Sequence, residues 1–228
     1  MKIWLISDTH LSHGSLKVPD NVDMVIHSGD GPDHNDPSIN SNQALDFFEW
    51  FSNLPIKYKI YVPGNHDTAQ EYGLVTIPEN VHCLIQKYVI IEGIKIWGSP
   101  YTPRFFDWAY NVDRDKLGNY FGKIPKDVDI LATHSPPKGI LDLCINRASN
   151  FEIEHPGCEF LTKLLWNKTI SPYVHVFGHL HETGGYTTML NFSKTTFVNA
   201  SCVVNPNHGI KCHGYIYDWD TKTISLNV

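Results

Sequence analysis

What this chain of 228 residues lacks narrows it before any motif is read. It has no apolar run long enough to cross a bilayer. The longest, Tyr88 to Trp97, is interrupted by Glu92, Gly93 and Lys95 and suits a hairpin. No targeting segment is expected within the chain, because Met1-Lys2 leads straight into Ile3-Trp4-Leu5-Ile6, which reads as a buried first strand. No C-x-x-C pair occurs among the five cysteines (Cys83, Cys144, Cys158, Cys202 and Cys212), so reduced, mostly buried thiols in a cytoplasmic protein are expected. There is no basic surplus: a net charge of -6 offers no patch for duplex nucleic acid. Repeats, low-complexity tracts and linkers are also missing. Residues 1–228 are therefore expected to form one α/β domain without a membrane partner.

What is present is an ordinary globular composition, 42% hydrophobic and 18% charged, carrying thirteen histidines. Their placement is not random. The β-rich run Tyr58 to Val62 stops at Pro63-Gly64, and Asn65, His66 and Asp67 follow side by side. Asn65 offers a neutral oxygen ligand, His66 a proton donor or acceptor near neutral pH, and Asp67 a carboxylate that could orient His66. Alone, such a loop is an Asx turn and a helix cap. Other strand ends repeat the chemistry.

The first strand ends in Asp8-Thr9-His10, and side chains two apart on an extended backbone converge on one side. A second buried strand, Asp23 to Ser28, closes in Gly29-Asp30, a carboxylate at the strand end where open α/β sheets place ligands. Asp33 completes a G-D-x-x-D spacing, either as support for the ligands or as a simple turn. A third strand, Val128 to Thr133, ends in His134-Ser135-Pro136-Pro137, and a fourth, Tyr173 to Phe177, in Gly178-His179-Leu180-His181. His27 and His175 lie inside strands and read as core histidines, whereas His13 and His34 read as surface.

Helical spacing covers Asn40 to Phe51, with Ser41 as a plausible cap, and Gly157 to Trp166. Residues 138–156, with Arg147 and His155, look irregular. The C-terminal part from Thr195 alternates like antiparallel strands, with a turn at 205–207. Residues 98–111 are dense in rings. They form either a rim that stacks a base, with Arg104 for a phosphate, or anchors to the core. Tyr101 and Phe105 are the candidates for substrate, and Trp108 for an anchor.

Together the strand ends supply Asp8, His10, Asp30, Asn65, His134, His179 and His181. These oxygen and nitrogen donors, with no thiolate, suit manganese first, with iron, zinc, cobalt or nickel also fitting. Two divalent ions roughly 3.5–4 Å apart would need about this many ligands if one carboxylate bridges.

D-x-H, G-D-x-x-D, G-N-H-D, a later lone histidine and G-H-x-H, spanning residues 8–181, resemble the calcineurin-like metallophosphoesterase superfamily. The resemblance implies an α/β fold, a four-layer α/β/β/α sandwich of two mixed sheets flanked by helices. It implies that Asp8, His10 and His181 hold one ion, that Asn65, His134 and His179 hold the other, and that Asp30 bridges. It implies attack on phosphorus by a water or hydroxide between the ions, with His66 as acid or charge stabiliser and Asp67 orienting it. Protein Ser/Thr phosphatases of the superfamily carry G-D-x-x-D-R-G and G-N-H-E, from which His34 and Asp67 depart. The runs at 98–111 and 134–137 look more like the small metallophosphoesterase-domain group that includes cyclic-nucleotide phosphodiesterases. The expected partner is therefore a small phosphoester or nucleotide. The alternatives are a phosphomonoesterase of the same fold and a non-catalytic scaffold, which would typically have lost ligands or the His66 equivalent.

Overall fold

A computed structural model describes residues 1–146, 152–189, 194–204 and 209–228. Arg147, His208 and the expected turn at 205–207 lie outside the described residues. In chain order the strands are β1 (Lys2–Ile6), β2 (Met24–His27), β3 (Tyr58–Tyr61), β4 (Val81–Cys83), β5 (Lys87–Ile91), β6 (Ile94–Ser99), β7 (Thr102–Pro103), β8 (Asn111–Val112), β9 (Ile130–Thr133), β10 (Cys144–Asn146), β11 (Glu152–Glu154), β12 (Val174–Phe177), β13 (Gly185–Thr188), β14 (Thr196–Asn199), β15 (Tyr215–Asp218) and β16 (Thr223–Leu226). The helices are α1 (Pro37–Asn53), α2 (Thr68–Glu71), α3 (Gly118–Phe121) and α4 (Glu159–Trp166).

Side chains alternate along a strand, and that alternation builds the layers. In β1, Ile3 and Leu5 face one cluster and Trp4 and Ile6 another. The first cluster joins Ile3, Leu5, Ile26 and Ile60 to Ile96, Ile130, Ala132, Val174, Val176 and Val198, so it lies between two sheets. The second packs Trp4, Ile6 and Val25 against Ala44, Phe47 and Phe51 of α1. The third packs Trp97, Leu131, Phe177 and Phe197 against Phe121, Leu161 and Leu165 of α3 and α4. The result is the expected α/β fold of two mixed sheets with flanking helices.

One six-stranded sheet has the order β16-β15-β1-β2-β3-β4 and the other β13-β14-β12-β9-β6-β5. β1, β2 and β3 are parallel and in level register, Ile6 facing His27 and His27 facing Tyr61. β9 and β12 are likewise parallel neighbours in the second sheet. Parallel strands deliver all their carboxyl ends to one edge, and here the residues after β1, β2, β3, β9 and β12 are the candidate ligands. The C-terminal expectation holds for β15 and β16, which pair antiparallel, whereas β14 runs parallel to β12 in the other sheet.

Helix α1 begins three residues before the expected Asn40, and Ser41 is not its cap. Asp36 Oδ1 accepts from the backbone N–H of Ser38 at 2.9 Å and of Ile39 at 3.4 Å. Pro37 then fits the first turn, where no N–H is needed. His13 is also not at the surface: it is 5% exposed, 3.3 Å from Asp46 and packed on Phe47 and Trp50. His27 and His175 are core histidines bonded to Thr9 Oγ1 at 3.1 Å and Thr133 Oγ1 at 2.8 Å. All five cysteines are free thiols. Among the described residues no helix is long and apolar enough to cross a membrane.

Phe47 is fully buried and stacks on Phe51 while its ring also meets His27 and Tyr61. Phe47→Ala is expected to destabilise the fold by about 3–5 kcal/mol, read as a lowered urea midpoint at unchanged slope.

Candidate metal centre

Turns at the strand ends bring the candidate ligands together. After β1 the chain enters left-handed backbone at Asp8 (φ 51°) and His10 (φ 39°); Asp30 (φ 60°) and His179 (φ 70°) do the same after β2 and β12. Such conformations are costly for residues with a side chain and concentrate at functional sites. They are held by backbone bonds between the loops: Asp8 N–H to Gly29 O at 2.8 Å and His10 N–H to Asp30 O at 3.1 Å. Glycines let the loops close. A Cβ on Gly178 would stand 1.9 Å from Asp8 Oδ2, and one on Gly64 would stand 2.3 Å from Asp30 Oδ1 and 2.6 Å from His134 Cε1.

The ligand atoms fall into overlapping groups, each within 4.8 Å: Asp8, His10 and His181; Asp30, His134 and His179; and His10, Asp33 and His66. Asp8 Oδ1 is 3.3 Å from His181 Nε2. Asp30 Oδ2 is 3.3 Å from His134 Nε2 and 3.9 Å from His10 Nε2, so Asp30 stands between the first two groups. Asn65 Oδ1 meets His134 Nε2 at 2.8 Å, which adds it to the second. Buried oxygen and imidazole donors from separate strand ends, with both carboxylates ionised, fit borderline divalent ions.

The electrostatics without an ion reflect the same crowding. Burial alone would raise Asp8, yet the hydrogen bond and charge of His181 hold it down to about 2. Burial also opposes Asp30, and the charge of His134 holds it well below the usual carboxylate range. His134 rises to about 9 against its burial because Asp30 faces it. His179 falls to about 3 through burial and the nearby charge of His134. Metal uptake by such a set displaces protons.

Asp67 does something other than expected. Its carboxylate accepts from Tyr61 Oη, from Gly64 N–H and from Asp30 N–H at 3.0 Å, and burial together with the Asp30 charge raises it to about 7. It faces the core and ties the two loops. The His66 ring is instead held through Nδ1 by the Asp33 carbonyl at 2.6 Å, while Asp33 Oδ1 holds His10 Nδ1 at 3.0 Å. Asp33 thus supports both residues.

The aromatic rim is also rearranged. Tyr101 packs on Tyr120, with ring centroids 3.9 Å apart, and against the third core cluster, so it is an anchor. Arg104 is engaged by Asp113 at 2.7 Å, Asp107 at 2.9 Å and the Asn111 carbonyl at 3.3 Å, which leaves it committed within the loop. Phe105, 41% exposed, does reach the centre, with its ring 5.1 Å from that of His179. Trp108, expected to be an anchor, sits 4.6 Å from the His66 ring.

An oxygen-and-imidazole cluster at the joint edge of two mixed sheets is a candidate site for divalent metal. The family model for calcineurin-like phosphoesterases matches residues 1–186, and the chain belongs to that family. It is 34% identical to human metallophosphoesterase domain-containing protein 1 over 88% of this chain and 66% of that one, and so spans just under two thirds of that relative. It is 32% identical to the Caenorhabditis elegans UPF0046 protein K07C11.7 over 99% of this chain and 77% of that one. A solved crystal structure 14% identical superposes with a TM-score of 0.65 over 99% of this chain and 98% of that chain, a likeness of fold. The matched span includes every candidate ligand, from Asp8 to His181.

Because Gly178 lies against Asp8, Gly178→Ala is expected to push that carboxylate out of place and lower metal content at saturating manganese. Elemental analysis after gel filtration checks this, and wild-type loading would contradict it.

Proposed function

We propose that the chain is a two-metal phosphodiesterase acting on small nucleotide-type esters. The observation that carries the reading is Asp30, buried between two donor groups and within 3.9 Å of a histidine in each. Asp8, His10 and His181 would hold one ion and Asn65, His134 and His179 the other, with manganese the best fit to this mixed donor set. When bound, such ions polarise phosphoryl oxygens and lower the pKa of water. The protein's own part is proton placement. The Asp33 carbonyl accepts from His66 Nδ1–H, so Nε2 is the nitrogen left to face the ester. It gives a proton to the leaving oxygen from the imidazolium form of the ring, which is neutral with its Nδ1–H kept afterwards. Asp30 Oδ1 accepts from the backbone N–H of His66 at 2.8 Å and ties that residue's main chain to the ligands.

A diester is favoured over a monoester by the state of the rim. Arg104, the one cation in residues 98–111, is already paired with two carboxylates, so the rim offers no uncommitted cation for the second charge of a monoester. Phe105 and Trp108 present ring surface beside His179 and His66, where a base could stack.

Chelation is expected to abolish turnover and manganese to restore it best among divalent ions. His66→Ala should keep its metal and lose roughly 10²–10⁴ in kcat, whereas Asp30→Ala should lose metal. Kinetics with a diester and elemental analysis on the same samples decide it. Equal metal content in both variants would overturn these roles.

Phe105→Ala should raise KM for a cyclic nucleotide about 5- to 150-fold, matching a stacking energy of about 1–3 kcal/mol, and leave a small methyl phosphodiester little changed. Equal effects on both substrates would show that the rim does not read a base.

A further inference from the structure

Helix α1 carries an amide where its spacing calls for an apolar side chain. Asn40 lies on the stripe of Ala44, Phe47 and Phe51 and is fully buried. A buried amide is tolerated only when bonded, and this one is bonded on both sides. Asn40 Nδ2 donates to the carbonyls of His66 at 2.6 Å and His34 at 2.7 Å, and its Oδ1 accepts from Ala69 N–H at 3.0 Å. One turn further on, Gln43 Oε1 accepts from the N–H groups of Asp33 at 3.0 Å and His34 at 2.8 Å.

These bonds converge on one residue. The main chain of His66 is held at its carbonyl by Asn40, and its ring is held by the carbonyl of Asp33, whose own N–H is held by Gln43. We propose that Asn40 and Gln43 are positioning residues: one polar face of α1 clamps the backbone and the ring of His66 and sets where its Nε2 lies. The inference rests on the reading of His66 as proton donor. Neither residue touches a donor atom of the ligand groups. Gln43 reaches one only at second hand, through Asp33, whose Oδ1 holds His10 Nδ1, so an unchanged metal content in Gln43→Ala is the readout that assigns the effect to proton transfer.

The two amides are used with opposite chemistry, which makes the proposal testable. Asn40 works as a double donor, so Asn40→Asp keeps the shape but sets an acceptor against two carbonyls. Gln43 works here as an acceptor, so Gln43→Glu preserves the bonds and Gln43→Ala removes them. The experiment measures kcat, KM and bound manganese for these three variants, alone and combined with His66→Ala. Asn40→Asp and Gln43→Ala are expected to lower kcat by about 10- to 100-fold, the scale of a small misplacement, with metal content and KM within about twofold. Gln43→Glu should recover most of what Gln43→Ala loses. In the His66→Ala background none of them should lower kcat further, because a residue acting through another has nothing left to act on.

Equal losses in both backgrounds, or Gln43→Glu as damaging as Gln43→Ala, would overturn the proposal. So would an unfolded Asn40→Asp beside a Gln43→Ala with full kcat, which would assign the face to folding. An unchanged kcat in His66→Ala itself would sink the proton-donor reading and this inference with it, an outcome separate from all the others.

Discussion

Two carboxylates buried at the meeting edge of two sheets are the constraint on which this structure turns. Asp8 and Asp30 both leave the first sheet and are 0% and 2% exposed. Burying an ionised carboxylate costs several kcal/mol unless its oxygens are satisfied. Part of that satisfaction comes from the opposite sheet. Asp8 receives the His179 N–H at 2.9 Å and faces His181, and Asp30 faces His134, all three from loops after β9 and β12. His134 also reaches across to the Ser28 carbonyl at 2.8 Å. The apolar layer between the sheets and the polar cluster at their edge are therefore one arrangement. Neither half-site is electrostatically complete without the other sheet.

That coupling explains what was legible in the sequence. Each candidate ligand loop follows a short apolar run, because a parallel strand buried on both faces has to end before polar chemistry can begin. Asp8, Asp30, Asn65, His134 and His179 could be placed at strand ends from pattern alone, and parallel pairing sent those ends to one edge. Direction within a turn was not legible. In Gly64-Asn65-His66-Asp67 the carboxylate turns inward because Tyr61, three residues before Gly64, carries a buried hydroxyl that needs an acceptor. His13 was hidden for a related reason: the rings that bury it, Phe47 and Trp50, come from helix α1, 34 and 37 residues later in the chain. Asn40 left a fainter trace, an amide on an otherwise apolar stripe.

The rim shows how local charge decides availability. Arg104 has Asp107 and Asp113 within nine residues, and a guanidinium with two near carboxylates is a loop fastener before it is a phosphate ligand. With Arg104 and Tyr101 both spent on holding the loop, Phe105 and Trp108 are the rings left to face His179 and His66. The anchors and the contact surface are different rings of one segment, and sequence spacing alone could not separate them.

The left-handed backbone at Asp8, His10, Asp30 and His179 completes the physical account. Each such residue costs on the order of 1–3 kcal/mol, a cost that has to be offset by the rest of the fold. Here the inter-loop backbone bonds help offset it in the protein itself, before any ligand is considered, and the missing Cβ at Gly64 and Gly178 lets the loops approach closely enough to form them. Donors fixed in this way do not have to be gathered when an ion or ester arrives. The ordering cost is met on folding, and the affinity of the site for its ligands is correspondingly less reduced by reorganisation. The same logic applies to His66, whose ring, N–H and carbonyl are each engaged by a different segment, Asp33, Asp30 and Asn40. A histidine held at three points keeps its remaining nitrogen in one place, and that is what the proposed general-acid role at a single leaving oxygen requires.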